Sequence, residues 1–166
     1  MRIAGVDPGT IVTGIGIIEE APKGPALVFS RAVQAGSDKS VAIRLEVIFQ
    51  KLKAILEEWK PEVLALENVF FQKDFRAAIK VGEARAIAML AATVSGIPIV
   101  EYTPAQIKQS VCGNGRATKD QIQFMIRNLL KTRETLTADS ADALAVSLCH
   151  SHSRKFIQIR ETYSRV

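Results

Sequence analysis

Apolar positions along the chain fall first into short runs and then into helical periods. Arg2–Val6, Thr13–Glu20 and Ala26–Gln34 are brief, rich in isoleucine and valine, and separated by the turn signals DPGT and APKGP. That pattern predicts three strands in an antiparallel meander. From Val41 to Trp59 the period changes: Leu45, Ile48, Leu52, Ile55, Leu56 and Trp59 recur on one helical face. Lys60-Pro61 ends this helix, and VLALE (Val63–Glu67) is an apolar run of strand length that finishes in a carboxylate.

Phe70 to Asp74 reads as a loop before an alanine-rich helix, Phe75 to Val94, closed by Ser95-Gly96. IPIVEY (Ile97–Tyr102) is a fifth strand. Thr103-Pro104-Ala105-Gln106 is a capping box with proline at the first helical position, and Thr118-Lys119-Asp120-Gln121 repeats the Thr-x-x-Gln signal after the Gly113-Asn114-Gly115 turn. A last helix starts near Thr137 and runs to about His152. The sum is an α/β fold, a mixed five-stranded sheet flanked by helices, with the pair VLALE and IPIVEY parallel across a helical crossover. The expected organisation is a single domain over 1–153 and a basic, flexible tail over 154–166.

Composition changes this picture little. With 48% hydrophobic and 23% charged residues, the 166-residue chain has a globular make-up. No apolar stretch is long enough for a membrane span, and no leader-like segment opens the chain. Cys112 and Cys149 stand in different segments without metal-ligand spacing, so the expectation is a reduced, cytoplasmic protein with no membrane partner. Charge says more. Between Thr103 and Arg133, six basic residues (Lys108, Arg116, Lys119, Arg127, Lys131, Arg133) face Asp120 alone, a surplus equal to the whole net charge of +5. Such a segment is either a solvated helical face or a surface for a phosphate backbone.

The candidate chemistry lies in acids where the pattern demands apolar residues. Asp7 ends the first strand and Glu67 ends VLALE, so neighbouring strands would place both at one sheet edge, where α/β folds carry their sites. In TADSADALAVSL, Asp139 and Asp142 share one helical face beside small and apolar residues. Each acid also has an ordinary reading: a turn residue at Asp7, a hydrophilic strand end at Glu67, a complement to the helix dipole at Asp139. Together, four converging carboxylates would repel, and hard divalent cations relieve that repulsion. Mg²⁺ or Mn²⁺ fits this donor set, zinc does not, and two such ions suit phosphoryl transfer.

GVDPGTIVTGIGII, LALENVF, KVGEARA and DSADALA, in this order and at these separations, resemble the RuvC-type Holliday-junction resolvases of the ribonuclease H-like superfamily. The resemblance implies an Mg²⁺-dependent endonuclease, with two ions per active site and Mn²⁺ able to substitute, acting in recombination and DNA repair. It further implies a homodimer that nicks two strands of a four-way DNA junction symmetrically, leaving 5′-phosphate and 3′-hydroxyl ends, with a branch-migration motor complex as partner. The family's metal-binding acids fall on Asp7, Glu67, Asp139 and Asp142, its base-stacking aromatic on Phe70, its DNA-contacting lysines on Lys108 and Lys119, and its dimer helix on Phe75–Val94. Lys73 and Arg76, beside the same loop as Phe70, are further candidates for backbone contact.

These extra positions keep plainer readings: Phe71 as a core plug, the lysines as surface charges, and Ala84, Ala88, Ala91 and Ala92 as packing within the chain rather than between copies. Asp74, Ala77 and Ala86 depart from the family's Asn, Ser and Gly, which leaves the acids intact but bears on local DNA contacts. An RNA-processing nuclease of the same superfamily is the alternative. An actin-like ATPase fragment shares the opening motif but needs a duplicated second half, and a junction-binding protein without catalysis would not need four intact acids.

Overall fold

The computed structural model describes residues 1–68 and 75–163, and for 155–163 the backbone alone. Five strands, β1 (Arg2–Asp7), β2 (Val12–Ala21), β3 (Gly24–Gln34), β4 (Val63–Glu67) and β5 (Ile99–Tyr102), form one sheet in the order β3-β2-β1-β4-β5. The first three pair antiparallel as a meander, while β1–β4 and β4–β5 are parallel. Both predicted pairings are therefore present. The helices are α1 (Val41–Trp59), α2 (Phe75–Val94), α3 (Pro104–Cys112), α4 (Lys119–Leu130) and α5 (Ala138–Tyr163). Among the described residues no helix is long and apolar enough to cross a membrane.

Strand alternation sorts the side chains into two cores. Ala4, Val6, Ile15, Ile17, Leu64 and Leu66 pack under α1 and α2. Ile3, Ile18, Val63 and Ala65 pack with α3, α4 and α5 on the other face. Because β1 and β4 are covered on both faces, they read as nearly continuous apolar runs. The same period of two carries a consequence for the acids. Ile3, Gly5 and Asp7 share one face of β1, and Val63, Ala65 and Glu67 share the matching face of β4. The register sets Val6 beside Leu66, so Asp7 and Glu67 leave adjacent strand ends toward the α5 side.

That face is floored with small residues, which decides how close α5 comes. A Cβ built at Gly5 would collide with the Ala143 carbonyl, and one at Gly14 with the Asp139 carbonyl. The helix thus lies directly on the β1–β2 backbone and brings its first turns to the end of β1.

Two of the boundaries that differ from the sequence expectation have a local cause. Strand β5 starts at Ile99 rather than Ile97, because the Ile97 N–H donates to Ala92 O (2.9 Å) at the end of α2 and Pro98 has no N–H for a ladder. Helix α5 does not end near His152 but continues to Tyr163, through most of the segment read as a tail. No glycine or proline interrupts 138–163, so nothing in the sequence stops it. On α2, Ala84, Ala88, Ala91 and Ala92 are fully buried, the last three in the core shared with α1, which settles them as packing within the chain.

Candidate active site

The turn after β1 is locked locally. Thr13 Oγ1 donates to Gly9 O at 2.7 Å and accepts from Gly9 N at 3.3 Å, so the loop folds back on β2 and leaves Asp7 at an open strand end. Both capping boxes foreseen in the sequence are formed, at Thr103 with Gln106 and at Thr118 with Gln121. They fix where α3 and α4 begin. Lys119 is the first residue of α4, and Lys108 lies one turn into α3.

These elements converge on a cleft of about 320 Å³. Asp7, Glu67 and Asp142 line it, with Lys108 and Lys119 on its rim and Ile107 and Val146 among its apolar walls. Lys119 Nζ stands 3.6 Å from Asp142 Oδ2. A larger hollow of about 1050 Å³ between α3 and α5, lined by Gln109, Ser110 and His152, has no carboxylate among its described lining residues, so size does not mark the site.

The electrostatics show strain. Burial, then the charges of Asp142, Glu67 and Asp139, push Asp7 from 3.8 up to about 7, against the opposing pull of Lys119. Glu67 is raised by burial and by Asp142, with Lys108 and Lys119 opposing. Asp142 is raised by burial, while Lys119 pulls it down. At neutral pH the cleft therefore holds more negative charge than its surroundings solvate, and two ammonium groups offset it only in part.

Asp139 sits one turn before Asp142 on α5 and acts on Asp7 through its charge, but it is not among the residues lining the cleft. Among the described residues no group of three or more His, Cys, Asp or Glu side chains stands close enough to hold an ion as it is. The carboxylates share a cleft without being drawn to ligand distance. In donor chemistry they suit a hard divalent ion: all oxygen, multiply anionic and partly desolvated.

Arg76 is exposed in the first turn of α2 and does not line the cleft. Phe70 and Lys73 lie outside the described residues, as do Phe71 and Asp74. Two features escaped the sequence reading, which assigned no role to the glycines of VTGIG or to Glu101. A glycine inside a strand is itself a sign of close backbone approach, whereas nothing in the spacing of Glu101 singles it out.

Comparison with known proteins gives a consistent result. The family described as Crossover junction endodeoxyribonuclease RuvC matches residues 3–150. A protein of that name from Hydrogenovibrio crunogenus is 47% identical over 149 residues, covering 90% of this chain and 86% of its own length. Another from Geobacter sulfurreducens is 41% identical over 153 residues, covering 92% of this chain and 93% of its own. Among solved structures, T. thermophilus RuvC in complex with Holliday junction substrate superposes with a TM-score of 0.87 at 30% identity, over 94% of this chain and 96% of that one. The mixed sheet and its flanking helices are the ribonuclease H-like fold.

Proposed function

The chain belongs to the RuvC family of crossover junction endodeoxyribonucleases, and from that membership we propose that it resolves four-way DNA junctions by paired, symmetric nicks. One observation carries the reading to this chain's own residues. Three carboxylates, Asp7, Glu67 and Asp142, line a single cleft between two lysines, and Asp7 is pushed up to about 7 by burial first and then by the charges of Asp142, Glu67 and Asp139. A structural acid gains nothing from such a position, whereas a cation-binding one does.

Asp7, Glu67 and Asp142, with Asp139 from the next turn of α5, would hold two Mg²⁺ ions, with Mn²⁺ able to substitute. Held by these residues, such ions would supply an activated water and charge stabilisation at the leaving oxygen. The chain's own part is positional. Asp7 and Glu67 enter from adjacent strand ends and Asp142 from the helix above, so the acids approach from two layers. Lys108 and Lys119 neutralise the phosphates on either side of the cut, and on DNA binding Lys119 exchanges Asp142 for phosphate. Hydrolysis leaves a 5′-phosphate and a 3′-hydroxyl that a ligase can reseal, which suits recombination and DNA repair. Phe70, from the segment after Glu67, is the residue assigned to stack on a base at the crossover, at about 1–3 kcal/mol by the general strength of such stacking.

Paired nicks need two active sites. The outer face of α2 carries an exposed apolar stripe of Phe75, Ile79, Leu90 and Val94, on a helix whose other face is already buried. A helix apolar all round is ordinarily covered. A second copy of the chain covers this one, in our reading, and Leu90→Glu is expected to shift the protein from dimer to monomer in sedimentation. An unchanged dimer would assign the stripe elsewhere. Work in the cytoplasm and delivery of junctions by a branch-migration motor complex complete the reading and rest on family membership.

The test compares a mobile synthetic junction, a linear duplex of the same sequence and a structured RNA, each with Mg²⁺ or with Ca²⁺. Nicking of the junction in Mg²⁺, at symmetric positions, is the expected result. Cleavage of RNA alone, or equal cleavage of linear duplex, contradicts it. In the same system Lys108→Ala and Lys119→Ala should each weaken junction binding and reduce the slope of log affinity against log salt by about 1. A slope that does not change removes that lysine from the phosphate contacts.

A further inference from the structure

Glu101, on β5, lies outside the cleft and uses its two carboxylate oxygens in different directions. Oε1 forms an ion pair with Nη2 of Arg85 on α2. Oε2 accepts a hydrogen bond of 3.2 Å from Nδ2 of Asn68. Asn68 is the residue after Glu67, and its backbone N–H donates to Tyr102 O at 2.8 Å, extending the β4–β5 ladder by one bond. The register sets Leu66 opposite Glu101 and Glu67 opposite Tyr102. Asn68 is therefore tied to β5 by main chain and side chain together, at the point from which Glu67 is aimed.

Three facts make this tie matter. Strand β5 is a four-residue edge strand, so its last ladder bond is the one most exposed to fraying. The Arg85 and Glu101 side chains are 24% and 34% exposed, so the pair lies at the surface and acts by holding geometry more than by its charge. Nε of Arg85 is buried and has no acceptor among the described residues, so the contact with Glu101 is what holds the guanidinium in place.

We propose that Glu101 is a positioning residue for the nuclease centre, bracing Asn68 against Arg85 of α2 and thereby fixing the direction from which Glu67 enters the cleft. It touches neither substrate nor metal. The inference rests on the reading of Glu67 as a metal ligand.

The experiment measures two quantities on the full-length protein, Glu101→Ala, Asn68→Ala and the double variant. The first is Mn²⁺ affinity without DNA, by calorimetry. The second is single-turnover nicking of a saturating junction in Mg²⁺. Each single variant is expected to lose about tenfold in Mn²⁺ affinity and in nicking rate, the usual scale for groups that orient a ligand from behind. The double variant should be no worse than either single, and junction affinity should stay within about twofold because no DNA contact is removed. If Glu101→Ala does not fold, Asn68→Ala is read alone, since it leaves the Arg85 ion pair intact. Unchanged Mn²⁺ affinity in the single variants overturns the proposal, as does a double variant whose loss is the product of the two. A parent protein that binds no Mn²⁺ overturns the metal assignment itself, a separate failure visible before any variant is made.

Discussion

Asp7→Asn is expected to abolish nicking, by at least about a thousandfold, while junction binding survives. The amide keeps the size of the carboxyl and removes the charge on which a hard cation depends, and a loss of several kcal/mol of transition-state stabilisation has that consequence. Lys108 and Lys119, the lysines proposed to meet DNA, are untouched. The same substitution should make the metal-free protein more stable, which separates this account from any in which Asp7 serves the fold. In the fold Asp7 titrates at about 7, against 3.8 as its ordinary value. Between those values the folded chain holds a proton that the unfolded chain has released, so stability falls as pH rises through the window. Above it the full cost of a charged Asp7 is present. In chelator at pH 8 the Asp7→Asn variant should therefore melt higher than the parent, and near pH 3 the two should converge. Adding Mn²⁺ at pH 8 should raise the parent's Tm and leave the variant's almost unchanged. A variant that still nicks, or that melts lower in chelator at pH 8, contradicts the assignment.

Gly14→Ala is expected to damage fold and activity together. The new Cβ would meet the Asp139 carbonyl, a backbone atom that cannot rotate aside, so α5 or β2 must shift. Overpacking of this kind costs about 3 kcal/mol at its upper end, or roughly 6–12 °C in Tm for a chain of this size. The shift falls on the first turns of α5, where Asp139 and Asp142 sit, so nicking per folded molecule should drop as well. Thermal melting alongside nicking at a temperature where the variant is folded checks both. A variant with parental Tm and rate would mean that α5 does not rest on the β1–β2 backbone.

Much of this was legible in the sequence because two signals agreed. Apolar runs ending in Asp7 and Glu67 marked two strand ends, and the Asp139–Asp142 spacing marked one helical face. The Thr-x-x-Gln boxes fixed the starts of α3 and α4, which carry the two lysines, because a cap is a local interaction with a local signature. Other parts were not legible because they depend on contacts across the fold. Whether Ala84, Ala88, Ala91 and Ala92 faced inward or a partner could not follow from a helix apolar on both sides, and only the packing of α1 decides it. The length of α5 was missed because basic composition suggested a tail, although no residue there breaks a helix. The glycine floor and the Asn68–Glu101–Arg85 brace are pairings between distant elements, and periodicity within one segment does not report them.

The centre of the account is that Asp7 binds metal in the cleft it shares with Glu67 and Asp142, and anomalous scattering from crystals soaked in Mn²⁺ tests this without reference to activity. The expected map shows two peaks in the cleft of the parent protein bound to junction DNA, and neither at full height in Asp7→Asn crystals. An empty cleft at millimolar Mn²⁺, or peaks that persist unchanged in the variant, would contradict it.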